Sequence, residues 1–137
     1  MGLLKKLLSK KTYQTQTTLS PEATRWNKFI FEVCNREIPS LSITQRSAVL
    51  AFWYDAEMNN GGHSGYFDCY SDIHPDDLVD ALNAINASAF AENFIEAIKW
   101  GIKDDYEKTD NTFYQLMTSL SDFLMEYVEL HKDDIFD

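Results

Sequence analysis

The side chains best suited to chemistry lie close together in the segment EMNNGGHSGYFDCYSDIH, which runs from Glu57 to His74. Histidine, cysteine and aspartate are common metal ligands, and a serine or cysteine near a histidine is the usual arrangement of a catalytic nucleophile. Glycines that precede a helix can also bind phosphate through backbone N–H groups. The segment therefore suggests three kinds of site: a metal site, a nucleophile and a phosphate-binding turn.

The spacing of these side chains fits none of the three well. His63, Asp68 and His74 lie five and six positions apart, which matches neither a zinc pattern nor a calcium loop, and histidines among surface acids are usually solvated. Ser64 lacks the spacing of a nucleophile elbow, and the acids around Cys69 make it a poor nucleophile. No lysine follows the glycines, and the nearby acids repel phosphate. We expect no enzyme, no metal and no cofactor, with a small metal-dependent enzyme using His63, Asp68 and His74 as an alternative.

The elements that must position these residues have the pattern of helices. Apolar residues recur close to every 3.6 positions, and the alternation typical of strands is absent. Helix starts are predicted at Ser20-Pro21, Ser42 and His74-Pro75, because Ser caps a helix and Pro fits its first turn. The run Asn59–Gly62 predicts a helix end and a sharp corner, since Asn and Gly accept the left-handed backbone conformation.

The sequence therefore predicts an all-α protein, a single compact domain built as an irregular bundle of five or six helices. We place this domain at residues 19–137, after a basic N-terminal turn or tail at residues 1–18. The first helix is expected to reach about Glu37, and residues 103–111 are expected to form a surface loop. A last long helix is predicted to start at Asp110 or Asn111 and to continue past Tyr127.

The charge of the chain is strongly negative and unevenly distributed. The formal net charge is −10; residues 1–46 hold eight basic and three acidic residues, whereas residues 47–137 hold four basic and nineteen acidic ones. This acidic body disfavours direct binding to nucleic acid, whose phosphates it repels. It favours a basic protein surface as the partner, and high solubility is the other explanation for the charge.

Seven acids form two rows on the predicted helices. One row has steps of four, three and four positions along the last helix, and the other has two acids four positions apart with a third beside them. Helix neighbours at these steps lie about 5–6 Å apart, similar to successive phosphates of a nucleic acid, and their repulsion costs a few tenths of a kcal/mol per pair. We therefore predict a partner-binding role for Asp76, Asp77, Asp80, Asp122, Glu126, Glu129 and Asp133. Asp104 and Asp105 are weaker candidates.

The opening segment also resembles a known family. Its pattern N-N-G-G-x-x-x-Y-F is formed by Asn59, Asn60, Gly61, Gly62, Tyr66 and Phe67, and Ala81-Leu82 and Ile85-Asn86-Ala87 extend it. This pattern is similar to the signature of small, helical, acidic bacterial proteins of the DNA-mimic family. His63 and Gly65 depart from it, because relatives commonly have an aromatic residue and a glutamine there, and Asn86 replaces a glycine.

The resemblance implies a domain that imitates duplex DNA. Its rows of carboxylates would occupy the basic surface of a transcriptional repressor or another nucleic-acid-binding protein, which would give it a role in transcription regulation. The signature residues themselves are expected to be structural, because asparagines can cap a corner, glycines can turn it, and Tyr66 and Phe67 can enter the core. The same acidic surface would suit an immunity-type inhibitor of a basic toxin.

Three further expectations concern the state of the protein. Cys34 and Cys69 lie far apart and outside any CxxC pair, so we expect reduced thiols and a cytoplasmic location. The apolar runs are too short for stable membrane insertion. A homodimer is predicted, because nineteen aromatic residues exceed what one small core can hide. Four leucines near the N-terminus can pack on a second copy: Leu3, Leu4, Leu7 and Leu8.

Overall fold

The fold is seen in a computed structural model that describes residues 19–137. The predicted basic turn or tail at residues 1–18, with its four leucines, lies outside the described residues. Within the described part the chain forms eight α-helices and three short 3-10 helices, and no strand. The all-α class and the single compact domain are confirmed, and the prediction of five or six helices is wrong.

The eight α-helices share one core that surrounds the second of them. They are α1 (Pro21–Phe31), α2 (Ile43–Met58), α3 (Gly62–Cys69), α4 (Pro75–Ala84), α5 (Ser88–Trp100), α6 (Glu107–Gln115), α7 (Leu120–Leu130) and α8 (Lys132–Ile135). The 3-10 helices cover Val33–Asn35, Ile38–Ser40 and Gly101–Asp104. Helix α2 contacts α3, α4, α7 and α8, while α5 packs between α4 and α6.

The predicted helix starts are confirmed by their capping hydrogen bonds. Ser20 Oγ accepts the N–H of the third residue of α1 at 3.0 Å. Ser42 and Gln45 form a reciprocal capping box at the start of α2, with distances of 3.1 and 2.9 Å. The imidazole of His74 caps α4, because its Nδ1 accepts the Asp76 N–H at 3.1 Å. These local signals can be read directly from sequence because donor and acceptor lie within three residues of each other.

The first helix is shorter than the sequence predicts. It ends at Phe31 rather than near Glu37, and a 3-10 turn at Val33–Asn35 follows. The Asn35 side chain donates to the Phe31 carbonyl at 2.8 Å and so satisfies a carbonyl at the helix end. Tight 3-10 turns are common at helix termini. Here the turn carries two buried residues, Val33 and Cys34.

The prediction of a surface loop at residues 103–111 followed by one long helix is wrong. The segment contains a 3-10 turn and the first half of α6. Asp105 and Tyr106 join these elements in the left-handed conformation, with φ of 53° and 66°. The chain then leaves the helix at Leu116, which is extended, and α7 begins after Ser119, whose Oγ accepts the Asp122 N–H at 3.3 Å. Asp110 lies inside α6 rather than at its start.

The core is rich in aromatic rings. Tyr54 is fully buried and makes edge-to-face contacts with Tyr66, Phe94 and Phe113 at centroid distances of 5.3–5.6 Å, a favoured geometry for aromatic pairs. Of the eighteen aromatic residues between 19 and 137, only Phe31, Trp100 and Tyr114 are exposed. One core does hide most of the aromatic residues, so the main argument for a homodimer is wrong, and the homodimer itself stays a prediction.

Candidate functional site

The segment Asn59–Gly62, here called the NNGG corner, joins α2 to α3 as predicted. The Asn59 side chain donates to the Asp55 carbonyl at 2.8 Å, and the Gly61 N–H donates to the Glu57 carbonyl at 2.8 Å. Gly62 then takes φ +68°, the left-handed conformation that ends many helices. The corner therefore satisfies two carbonyls at the end of α2 and turns the chain into α3.

Gly62 also lets a carboxylate approach the backbone closely. A Cβ atom at this position would lie 2.5 Å from Oδ2 of Asp110 on α6, which is far inside van der Waals contact. The backbone N–H of His63 donates to Oδ1 of the same carboxylate at 3.0 Å. The absence of a side chain at Gly62 is thus needed for the contact between α3 and α6.

His63 uses both nitrogens of its ring, one in this contact and the other toward α2. Its Nδ1 lies 2.7 Å from Asp110 Oδ1, and its Nε2 lies 2.7 Å from the hydroxyl oxygen of Tyr54. The imidazole and the Tyr54 side chain are fully buried. Tyr54, His63 and Asp110, here called the His63 network, therefore join α2, α3 and α6 through hydrogen bonds.

Burial controls the acid–base behaviour of this network. It lowers the pKa of the His63 imidazole, and the hydrogen bond and charge of Asp110 oppose that shift. Burial also holds the pKa of the Tyr54 hydroxyl well above its usual range. We infer that His63 and Tyr54 are neutral at neutral pH.

The proposed catalytic and metal-binding residues of this segment are not brought together. His63 is buried rather than solvated, whereas Asp68 and His74 are exposed, and no three His, Cys, Asp or Glu side chains in residues 19–137 are grouped to hold a metal ion. The exposed Cys69 donates from Sγ to Glu57 Oε1 at 3.2 Å, and this hydrogen bond raises the pKa of its thiol. Both cysteines are free.

The acidic row on α4 is exposed at two of its three members. Asp76 and Asp80 are exposed and have no arginine or lysine within 4 Å among the described residues. Asp77 is half-buried and forms an ion pair with Arg46 of α2 at 2.9 Å. Among residues 19–137 the row therefore presents two carboxylates with no arginine or lysine partner, although His74 Nδ1 lies 3.8 Å from Asp76, and one carboxylate that is already engaged.

The row on the last helix is interrupted. Asp122 and Glu126 are exposed on α7, but Asp133 follows the end of α7 and belongs to the short helix α8. The Glu129 carboxylate accepts two hydrogen bonds from Arg25 of α1, at 2.9 and 2.7 Å. This contact lowers the pKa of Glu129. The row predicted along a single helix is therefore divided between two helices, and the charge of one of its acids is neutralised.

Internal cations engage few of the acids. Residues 19–137 contain eight basic and twenty-two acidic residues. Within this range, arginine and lysine ion pairs involve four acids: Glu22, Asp77, Glu129 and Asp137. Lys28 and Lys103 lie over the rings of Phe136 and Trp100, at 5.7 and 4.6 Å from the ring centroids. Most acids in residues 19–137 thus have no arginine or lysine partner within that range.

The weaker candidate Asp104 lies in a different environment. It lines a groove of about 970 Å³ between α5 and α6. The charged residues of this groove are Glu92, Glu96, Lys103, Asp104 and Lys108. Because both signs are present, this groove does not resemble a polyanion.

These features define an acidic, all-helical protein built around a glycine corner. The DMP19-like protein family matches residues 39–135, and the chain belongs to this family. The match is compatible with the resemblance to acidic DNA-mimic proteins, and it spans both acidic rows, the NNGG corner and the His63 network. No curated protein and no solved structure matches the chain.

Sequence reasoning missed the His63 network, although one signal pointed to it. By the resemblance given above, residue 63 stands where an aromatic residue is common, and such a position is more often buried than solvated. The partner, Asp110, lies 47 positions further along the chain. Local patterns do not reveal a pair at that separation.

Proposed function

We propose that this protein is a non-enzymatic module that binds a basic protein surface by presenting carboxylates in place of nucleic-acid phosphates. By resemblance, the partner is a transcriptional repressor or another nucleic-acid-binding protein. The observation that carries the proposal is a set of exposed row acids with no arginine or lysine partner among residues 19–137: Asp76, Asp80, Asp122, Glu126 and Asp133. Membership of the DMP19-like protein family supports it.

The mechanism is electrostatic complementarity on a rigid scaffold. Carboxylates fixed on helices keep their spacing, so a groove lined with Lys and Arg meets ordered negative charge without ordering it first. Helix α2 contacts both α4 and α7, and so one element supports both rows. Exposed charges that pair across an interface are screened by salt, and the binding is therefore expected to weaken as salt is raised.

The ion pairs divide the seven acids into two groups. A partner can reach Asp76, Asp80, Asp122, Glu126 and Asp133 directly. To bind Asp77 or Glu129, it must compete with Arg46 or Arg25. We therefore assign most of the binding to the first group, while Asp77 and Glu129 tie the rows to the scaffold.

The test is capture of partners from the native host at low and at raised salt. The bait is the full chain, compared with two variants in which a row is neutralised: D76N/D80N and D122N/E126Q. The matched control is E92Q/E96Q, which removes two exposed acids four positions apart on α5, outside both rows.

The proposal expects a basic protein that binds the wild type and the control but is lost from the row variants. Equal loss from the control would mean that only total charge matters. Equal capture by every variant would contradict the role of the rows. Capture of a repressor would support a role in transcription regulation, whereas capture of a basic nuclease would support the immunity-type inhibitor.

A further inference from the structure

We propose that the groove between α5 and α6 binds an amino acid of the arginine type, with a guanidinium at one end, a carboxylate at the other and an apolar stem between them. None of the seven row acids lines this groove, so the proposal goes beyond the proposed function and does not depend on it. It rests on one buried side-chain oxygen without a hydrogen-bond donor and on the distribution of charge across the groove.

The buried oxygen belongs to Asn93 of α5, whose side chain lies at the floor of the groove. The residue is only 5% exposed, and its Nδ2 donates to the backbone carbonyl of Thr109 on α6 at 2.9 Å. Because a carbonyl can only accept hydrogen bonds, this contact fixes which end of the amide faces Thr109. The acceptor atom, Oδ1, is therefore the end that is left over.

This oxygen of Asn93 is open to the groove. The contact with Thr109 is the one hydrogen bond that this side chain forms within residues 19–137. No side-chain nitrogen or oxygen in that range is both fully enclosed and without a partner, so Oδ1 is reached from outside, and Asn93 lines the groove. Buried acceptors are normally paired, and a ligand with an N–H donor would pair this one.

The α5 side of the groove favours a cation as that donor. Glu92 and Glu96 are exposed there, four positions apart, and line the groove together with Asn93. Helix residues three or four positions apart are neighbours, about 5–6 Å between Cβ atoms, so one planar group can meet both Asn93 and Glu96. A guanidinium suits this pair, because its five N–H donors form a rigid fork that can bond an amide oxygen and a carboxylate together.

Apolar surface continues the groove beyond these polar groups. Trp100 is exposed one turn after Glu96, and the half-buried side chains of Ile95 and Leu116 also line the groove. Such surface can hold the methylene stem of a long basic side chain. The ammonium of Lys103 lies 4.6 Å from the centroid of the Trp100 ring, which shows that a cation can approach this ring.

The α6 side of the groove supplies a positive charge. Lys108 is exposed there, and its side chain belongs to none of the ion pairs within residues 19–137. The nearby Asp104 instead accepts the backbone N–H of Lys108 at 3.0 Å. A ligand carboxylate can therefore pair with Lys108 while its cationic end meets Glu96. Opposite charges on the two sides favour a ligand that carries both signs over a simple cation.

The test is a nitrogen-15 NMR titration of the full chain with L-arginine at pH 7.5 and constant ionic strength. We expect shifts of the Asn93 side-chain amide and of backbone amides around Glu96 and Lys108, while the amides of α7 stay in place. L-citrulline has nearly the same shape but a neutral end group. It should bind about tenfold more weakly or worse, because hydrogen bonds to a charged group are lost.

Two further probes identify the source of the ligand. L-argininamide lacks the carboxylate and should bind more weakly than arginine. N-acetyl-L-arginine keeps the carboxylate but blocks the amine, as in the last residue of a peptide. Binding of arginine alone would indicate the free amino acid, and equal binding of N-acetyl-L-arginine would indicate a peptide that ends in arginine. Both results support the proposed site.

Variants at exposed positions test the two ends without disturbing the core. E92Q/E96Q should weaken arginine binding by about three- to tenfold, the range expected for two exposed ion pairs. D122N/E126Q makes the same change of charge on α7 and should bind arginine as the wild type does. Lys108→Gln should weaken binding of arginine but not of argininamide, and Lys132→Gln is its control. Since E92Q/E96Q is expected to keep the partner of the acidic rows, loss of arginine and loss of that partner are separate results.

Three results would overturn the proposal. One is an unchanged Asn93 side-chain resonance when arginine is added. Another is equal binding of arginine and citrulline, or of arginine and argininamide. The third is a set of shifts spread evenly over the acidic rows and the groove, which would show that arginine is attracted only by net charge.

Discussion

Two features of the structure require glycine at position 62. The backbone is left-handed there, and a carboxylate occupies the space that a side chain would need. We expect Gly62→Ala to lower the free energy of unfolding by about 2 kcal/mol or more, because the left-handed conformation alone costs Ala about 1–2 kcal/mol and Asp110 must also move. Urea denaturation measures the change.

Gly65→Ala is the matched control for this change. Its Cβ would meet the end of the flexible Glu57 side chain at 3.2 Å, and Ala is favoured over Gly inside a helix. Its stability should stay within about 1 kcal/mol of the wild type. An equal loss in both variants would mean that the first turn of α3 tolerates no added methyl group, whatever the backbone conformation.

Asp110 accepts two hydrogen bonds from His63 through one oxygen. Asp110→Asn removes the charge that strengthens them and should cost about 1–3 kcal/mol of stability. Asp105 is exposed and lies just before α6, and it provides a control with the same change of charge. We expect Asp105→Asn to have little effect on stability. Thermal unfolding of the two variants at pH 7.5 compares them directly.

At the scale of single residues, features that depend on sequence neighbours could be predicted. Contacts between residues far apart in sequence could not. Asn86, which replaces a glycine of the family pattern, takes the left-handed conformation with φ +68°, which Asn tolerates for local reasons. The burial of His63 was not predicted, since it depends on Tyr54 and Asp110 from two other helices. A polar residue enters a core only with partners, and its partners are set by tertiary structure.

Among the elements, the division between α6 and α7 shows where pattern reading fails. Phe113, Leu116, Leu120 and Leu124 keep a helical period across the break, and all four are buried or half-buried. The same apolar pattern is therefore expected for one long helix and for two shorter ones. What separates them is the local cap at Ser119, a signal that the apolar period conceals.

This cap is open to a direct test. Ser119→Ala should lower the free energy of unfolding by about 1 kcal/mol, because the Asp122 N–H at the start of α7 loses its side-chain acceptor and keeps only the Ser119 carbonyl. Thr118→Ala, one residue earlier and exposed, is the control. Chemical denaturation of both variants decides the point, and equal stabilities would show that Ser119 does not act as the cap.

For the whole molecule, the excess of acids over internal cations predicts an unusual response to salt. Residues 19–137 hold twenty-two acids against eight basic residues, so repulsion outweighs the few ion pairs. We expect the melting temperature to rise as sodium chloride is added at pH 7.5, because screening weakens repulsion between exposed carboxylates.

The quadruple variant D76N/D80N/D122N/E126Q should melt at a higher temperature than the wild type at low salt and gain less from added salt. A melting temperature that falls with salt would show instead that ion pairs such as Arg25–Glu129 dominate. Scanning calorimetry at several salt concentrations makes the comparison.

The homodimer is also a property of the whole molecule. The described core already hides most aromatic residues, and the apolar side chains left exposed include Trp100, Ile102 and Met117. Sedimentation over a range of protein concentrations tests the prediction, and a single species of 15.8 kDa at all concentrations would contradict it.

No helix in the described residues is long and apolar enough to cross a membrane.

The NNGG corner and the acidic rows have no residue in common. Substitutions in the rows can therefore accumulate without disturbing the turn that organises the helices, and the two parts of the chain are free to change at different rates. Under the proposed function, a lineage with this fold could therefore exchange one partner for another while the corner stays the same. Family membership detected through the corner identifies the fold and leaves the partner open.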